Sequence, residues 1–98
     1  DVAAVPGVFA LHQNYPNPFN PVTTIRYDVP EQAHVTMEIY NLLGQKVATL
    51  VNGIQEPGYH AIMWNGTNMS GAAMSSGMYF YHIQAGDFRS VKKLILVK

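Results

Sequence analysis

Four histidines, six carboxylates and an asparagine-rich loop are the groups in this 98-residue chain whose types could do chemistry. A zinc site needs three or four ligands converging on one point. His12, His34, His60 and His82 lie far apart with no ligand spacing, which reads as ordinary surface and strand-end histidines. Acid–base catalysis needs carboxylates with divided roles. Asp28, Glu31, Glu38, Glu56 and Asp87 supply no convincing pair, and neither a nucleophile elbow nor a phosphate-cradling glycine loop is present. The loop Asn65–Ser70 contains two Asn-x-Ser/Thr sequons, Asn65-Gly66-Thr67 and Asn68-Met69-Ser70. Its amide and carbonyl oxygens could meet a calcium ion, but without a carboxylate such a site is weak. The expectation is a non-enzyme with no cofactor and no metal.

The terminal run "SVKKLILVK" has a different kind of chemistry to offer. Leu94 and Leu96 alternate with polar or exposed positions, and Lys92, Lys93 and Lys98 flank them. An edge strand of this kind presents backbone amides and carbonyls to a partner by strand addition, with its lysines outside.

Composition narrows the field further. Charged residues make up 12% of the chain and the net charge is zero, so the basic footprint of a nucleic-acid binder is missing. No apolar run is long enough to cross a bilayer as a helix. The absence of cysteine removes disulfides and thiolate metal sites together. A chain of this mass buries roughly 65% of its unfolded surface, sufficient for one core with little margin for a deep cavity. Asp1 stands where an initiator methionine would, with no leader after it, and the expectation is a mature form or a piece of a longer protein.

The elements that position the terminal run come from period-two alternation. Ile25, Tyr27 and Val29 alternate with Thr24, Arg26 and Asp28; Val35, Met37 and Ile39 alternate with His34, Thr36, Glu38 and Tyr40. "NLLGQ" is a turn with Gly44 at positive φ, returning through Lys46 to Val51. Tyr59 to Trp64 follows between two glycine-containing loops, with large apolar groups on both faces; Ile62 and Trp64 are expected inside. Residues 65 to 77 read as a long loop crossing between sheets. Met78 to Ala85 and Phe88 to Val97 form a hairpin about Gly86-Asp87. About six or seven short strands with recurrent turns predict an all-β, immunoglobulin-like antiparallel β-sandwich.

Residues 1 to 14 are aperiodic and read as a linker from an upstream region, leaving 15 to 98 as the sandwich. Between them, Tyr15-Pro16-Asn17-Pro18 and Asn20-Pro21 exclude helix and run extended. Asn14, Asn17 and Asn20 can stabilise kinks, and Tyr15 and Phe19 are expected to pin the segment to the sandwich.

Five blocks, "NYPNPFNPVTTIRYDVP", "VTMEIYNLLGQKVATLV", "GYHAIMWNGTN", "SSGMYFYHI" and "KKLILVK", resemble the type A C-terminal sorting domain of the type IX secretion system. They also resemble the related immunoglobulin-like domain of flagellar hook-capping proteins. The resemblance runs from about residue 9 to 98. It implies a β-sandwich at the C-terminus of exported enzymes and adhesins of certain Gram-negative bacteria, reaching the secreted or cell-surface location through the periplasm. Its implied partners are the outer-membrane translocon, a sortase-like peptidase that removes the signal and anchors the cargo, and an N-terminal cargo domain in cis. Carried over by position, the lead-in motif is Tyr15, Pro16, Asn17 and Pro18, and the recognition strand holds Lys92, Lys93, Leu94, Leu96 and Lys98. Gly44, Trp64, Gly77 and Tyr79 are structural positions. Asn65 stands where many relatives have aspartate, which removes a possible cation ligand.

The rival class is a carbohydrate-binding or structural accessory domain of a secreted multi-domain hydrolase. Sugar binding needs two or more solvent-facing, roughly coplanar rings.

Overall fold

The computed structural model describes residues 5–98. Its strands are β1 (Ala10–Leu11), β2 (Thr23–Val29), β3 (Ala33–Tyr40), β4 (Lys46–Gln55), β5 (Gly58–Trp64), β6 (Gly77–Ala85) and β7 (Phe88–Leu96). They form two antiparallel sheets, β1-β2-β5 and β4-β3-β6-β7, stacked as an immunoglobulin-like sandwich.

Alternation decides which side chains fill the space between the sheets. Ile25, Tyr27 and Val29 from β2 and Trp64 from β5 face Val35, Met37 and Ile39 from β3, Tyr79, Tyr81 and Ile83 from β6, and Leu94 and Leu96 from β7; all are buried. In β5 the two-faced pattern resolves as expected: Trp64 is buried and Ile62 packs against the core, while Tyr59 and Met63 stand in solvent.

β4 departs from simple alternation because two bulges interrupt its ladder with β3. Met37 pairs with Val51 but Glu38 with Thr49, and Ile39 pairs with Ala48 but Tyr40 with Lys46. Leu50 and Val47 are therefore extra residues, and a bulge shifts the phase of the pleat. Val47 and Ala48 can then both be buried although adjacent in sequence. β4 also continues through Asn52 and Gly53 to Gln55, where the sequence suggested a loop; Gly53 pairs with Val35.

The turn at Asn41–Gln45 and the loop around Asn68 share one construction. The Asn41 Oδ1 accepts the amides of Leu43 and Gln45, and Asn68 Oδ1 accepts those of Ser70 and Ala72. The fourth residue of each, Gly44 at φ 80° and Gly71 at φ 85°, closes the turn in the left-handed region.

Residues 5–14 are not wholly outside the sandwich. β1 pairs with β2 through Ala10↔Asp28 and Leu11↔Tyr27, Leu11 and Asn14 are buried, and Phe9 stacks on Phe88 at 5.6 Å. The sequence expectation of a linker over 1 to 14 thus overlaps a paired strand; residues 1 to 4 lie outside the described part.

Candidate functional site

β7 is the margin of the four-stranded sheet, bonded to β6 on one side only. Its register with β6, Tyr79↔Leu94 and Gly77↔Leu96, puts Leu94 and Leu96 in the core at 0% and 1% exposure. Those two leucines hold the fold and are closed to a partner of the folded domain. The pleat also separates the lysines: Lys93 is exposed on the outer face, whereas Lys92 shares the inward parity of Leu94 and is half-buried at the rim. Four of the six lysines and arginines, Arg89, Lys92, Lys93 and Lys98, fall in these last residues. The ion pairs among the described residues are His12–Asp28 at 2.9 Å and Lys46–Glu38 at 3.1 Å, so none of the four terminal cations is paired there. At the latter, the hydrogen bond from the Tyr40 phenol, joined by Lys46, holds the Glu38 carboxyl below the usual carboxylate value.

The outer edge of β7 is not bare, contrary to the sequence expectation of a free main chain. The Phe19 amide donates to the Ile95 carbonyl at 2.9 Å and the Val97 amide donates to the Phe19 carbonyl at 2.9 Å. The Ile95 amide donates to Asn17 Oδ1 at 3.0 Å, and Gln13 Nε2 donates to the Lys93 carbonyl at 2.8 Å. Residues 13–19 are thus a strap over the second half of the strand, with Phe19 and Leu96 in a parallel bridge. Among the described residues no partner meets the outward-facing backbone of Arg89 and Val91 or the Lys93 amide.

The same segment holds the other sheet. Tyr15 and Thr24 exchange amide–carbonyl bonds of 3.0 and 2.9 Å. Asn14 is buried and its side-chain amide donates to the Pro16 carbonyl and Thr23 Oγ1. The Tyr81 hydroxyl donates to the His12 carbonyl at 2.6 Å and accepts the Asn14 amide at 2.8 Å. Burial pushes that phenol up to about 12, against a smaller downward pull from the Asn14 amide. The lead-in therefore crosses from the β1 side of β2 to the outer edge of β7 and laces the sheets together.

Its apolar pin is Phe19, at 1% exposure and 5.7 Å from the Trp64 ring, which in turn meets Tyr79 edge-on at 5.6 Å. Trp64 Nε1 and the Tyr79 hydroxyl satisfy themselves on the carbonyls of Thr67 and Ser75. Tyr15 is not a pin: its ring is 75% exposed and only its backbone is engaged. Gly77 opens β6 opposite Leu96. The lead-in motif and the terminal strand, separate in the sequence reading, form one structural unit. No local signal could have joined them, because the contacts span some 78 residues.

The two most exposed rings, Tyr15 and Tyr59, sit opposite Thr24 and Asp28, roughly 13 Å apart along β2 at strand rise, and do not form one platform. Among the described residues no group of three His, Asp or Glu could hold a metal ion, and no helix is long and apolar enough to cross a membrane.

The family model described as secretion system C-terminal sorting domain matches residues 13–98. Two solved structures resemble the fold. Dimeric latent PorU from Porphyromonas gingivalis is 24% identical with a TM-score of 0.74, over 96% of this chain and 10% of that one. PorZ, a surface component of the type IX secretion system of the same organism, is 19% identical with a TM-score of 0.62, over 90% of this chain and 11% of that one. The chain thus spans about a tenth of the length of each. No curated protein sequence matches closely enough to count as a relative.

Proposed function

The chain belongs to the family of type IX secretion C-terminal sorting domains, and from that premise we infer that its terminal strand is the surface by which an outer-membrane translocon takes hold of it. Domains of this family are sorting signals rather than catalysts, on proteins destined for secretion or the cell surface of Bacteroidetes.

The observation that carries the reading is the row of cations Arg89, Lys92, Lys93 and Lys98, unpaired among the described residues, along a sheet margin. That cluster runs away from the place where the upstream chain joins: Phe9 stacks beside Phe88 at the start of β7, and Lys98 lies past its other end. Cargo attached in cis would hang from the Phe88 end of β7 and leave the Lys98 end open. Exposed lysines steer an acidic partner and set its register, while the strap keeps the strand edge from pairing indiscriminately. Passage through the periplasm, with removal by a sortase-like peptidase upstream of the sandwich, completes the proposal.

The test is export of a reporter fused ahead of residues 1–98. Deleting residues 92–98 would remove Leu94 and Leu96 from the core and confound folding with recognition. Reversal at the three flanking lysines, Lys92→Glu, Lys93→Glu and Lys98→Glu, keeps Leu94 and Leu96 in the core, with the half-buried Lys92 checked by the melt. Reduced export of a reporter whose domain melts normally is expected; undiminished export would refute the role of these lysines.

A further inference from the structure

A sandwich with two open sheets has four margins, and unprotected margins invite strand pairing. Three are guarded here. β1 is two residues long. β4 carries two bulges, and Met69 from the long loop lies over its edge, its sulfur accepting the Thr49 amide at 3.1 Å. β7 is strapped by residues 13–19 and flanked by lysines.

β5 has none of these devices. It is seven residues, "GYHAIMW", with regular pairing to β2 throughout, no bulge, no proline and no charged side chain. Hydrogen-bond parity fixes which groups it leaves open. Thr24 and Arg26 bond outward to Tyr15 and His12, so Thr23, Ile25, Tyr27 and Val29 direct their backbone groups to β5. Their partners Trp64, Ile62, His60 and Gly58 are thereby used. The amides and carbonyls of Tyr59, Ala61 and Met63 point away from the sheet, and among the described residues nothing meets them.

We propose that this edge is a self-pairing surface, occupied by β5 of a second copy of this chain in antiparallel register about Ala61. The sequence is complementary to itself under that twofold operation, as an isologous contact requires. Ala61 would face Ala61, and Tyr59 would face Met63 of the partner, each pair exchanging both backbone bonds. Tyr59 and Met63 are equally exposed, at 64%, on the solvent face of the sheet. Pairing sets a thioether beside an aromatic ring at both ends, with a small residue facing its own copy on the twofold axis. No charge opposes the approach. The product is one continuous sheet, β1-β2-β5 joined to its symmetry copy.

A single strand pair buries less than a standard interface, so the dimer is weak, with a dissociation constant on the order of 100 μM. It forms where copies are crowded.

Sedimentation equilibrium of the 98-residue chain from about 10 μM to 1 mM reads this directly. A monomer–dimer equilibrium is expected. Ala61→Lys, whose side chain points to solvent, sets two ammonium groups across the twofold axis about 5.5 Å apart at Cα and should raise the dissociation constant roughly tenfold or more. Val91→Lys on β7 should leave it unchanged. The chain has no cysteine, so Ala61→Cys gives a single thiol that a short bismaleimide should bridge between copies, whereas Val91→Cys should not be bridged. A chain monomeric at the highest concentration, or a dimer sensitive at position 91 and indifferent at 61, overturns the proposal.

Discussion

Phe19→Ala tests whether the lead-in is part of the fold or an appendage to it. The ring is 1% exposed and packs on Trp64. An aromatic side chain of roughly 150 Å² at about 25 cal/mol/Å² contributes about 4 kcal/mol. Phe→Ala changes in cores cost about 3–5 kcal/mol once the cavity is included. For a domain of this size each kcal/mol moves Tm by about 4–8 °C, so a fall of roughly 12–40 °C is expected. Tyr15→Ala, four residues earlier, removes a ring that is 75% exposed and leaves the Tyr15–Thr24 backbone bonds in place. Its cost should lie within about 0.5 kcal/mol of zero. Denaturant unfolding followed by the fluorescence of Trp64, the sole tryptophan, gives both numbers. Amide exchange at Val97, whose N–H rests on the Phe19 carbonyl, should accelerate in Phe19→Ala alone. A loss below about 1 kcal/mol for Phe19→Ala, or an equal loss for Tyr15→Ala, would refute the strap as a structural element.

Asn17→Ala removes the acceptor of the Ile95 amide; a loss of about 0.5–1.5 kcal/mol in denaturant titration, with faster exchange of that amide, is expected. Tyr81→Phe leaves the His12 carbonyl and Asn14 amide without their shared partner, costing about 1–3 kcal/mol. The raised Tyr81 phenol, at about 12, fixes the alkaline behaviour. Its contribution is complete below the ordinary tyrosine value and is lost as pH climbs from there through the folded value, because the unfolded chain ionises first. Melting curves taken at rising pH should fall more steeply for the parent than for Tyr81→Phe. Gly44→Ala and Gly71→Ala meet open space but sit at φ 80° and 85°; each should lower the urea midpoint by an amount worth about 1 kcal/mol, and equally, if the two asparagine turns are equivalent.

What the sequence reveals follows the range of the interaction. Ile25-Tyr27-Val29 and Val35-Met37-Ile39 announce their strands because period-two burial is written into adjacent residues. Gly44 in its turn is equally local. The extension of β4 through Gly53 was hidden, since a glycine that usually breaks a strand is here held by pairing with Val35. Tyr15 does not take its expected role as an anchor, since that residue stands in solvent, while Asn14 braces the kink through the Pro16 carbonyl and is buried because its amide also finds Thr23. The opposite facing of Lys92 and Lys93 follows from the pleat once β7 exists. The strap does not: Asn17 meets Ile95 only after every intervening strand is in place.

The parallel course of Phe19 alongside β7 also determines how the molecule answers tension. The N-terminal segment stacks Phe9 beside Phe88 and residues 97 and 98 lie beyond Leu96, at opposite ends of the paired segment. Force drawn between the two ends of the domain would run along the strands and shear the bonds to Ile95 and Val97 together, instead of peeling them one at a time. A domain pulled from both ends would resist at the very contact that ties its two sheets together.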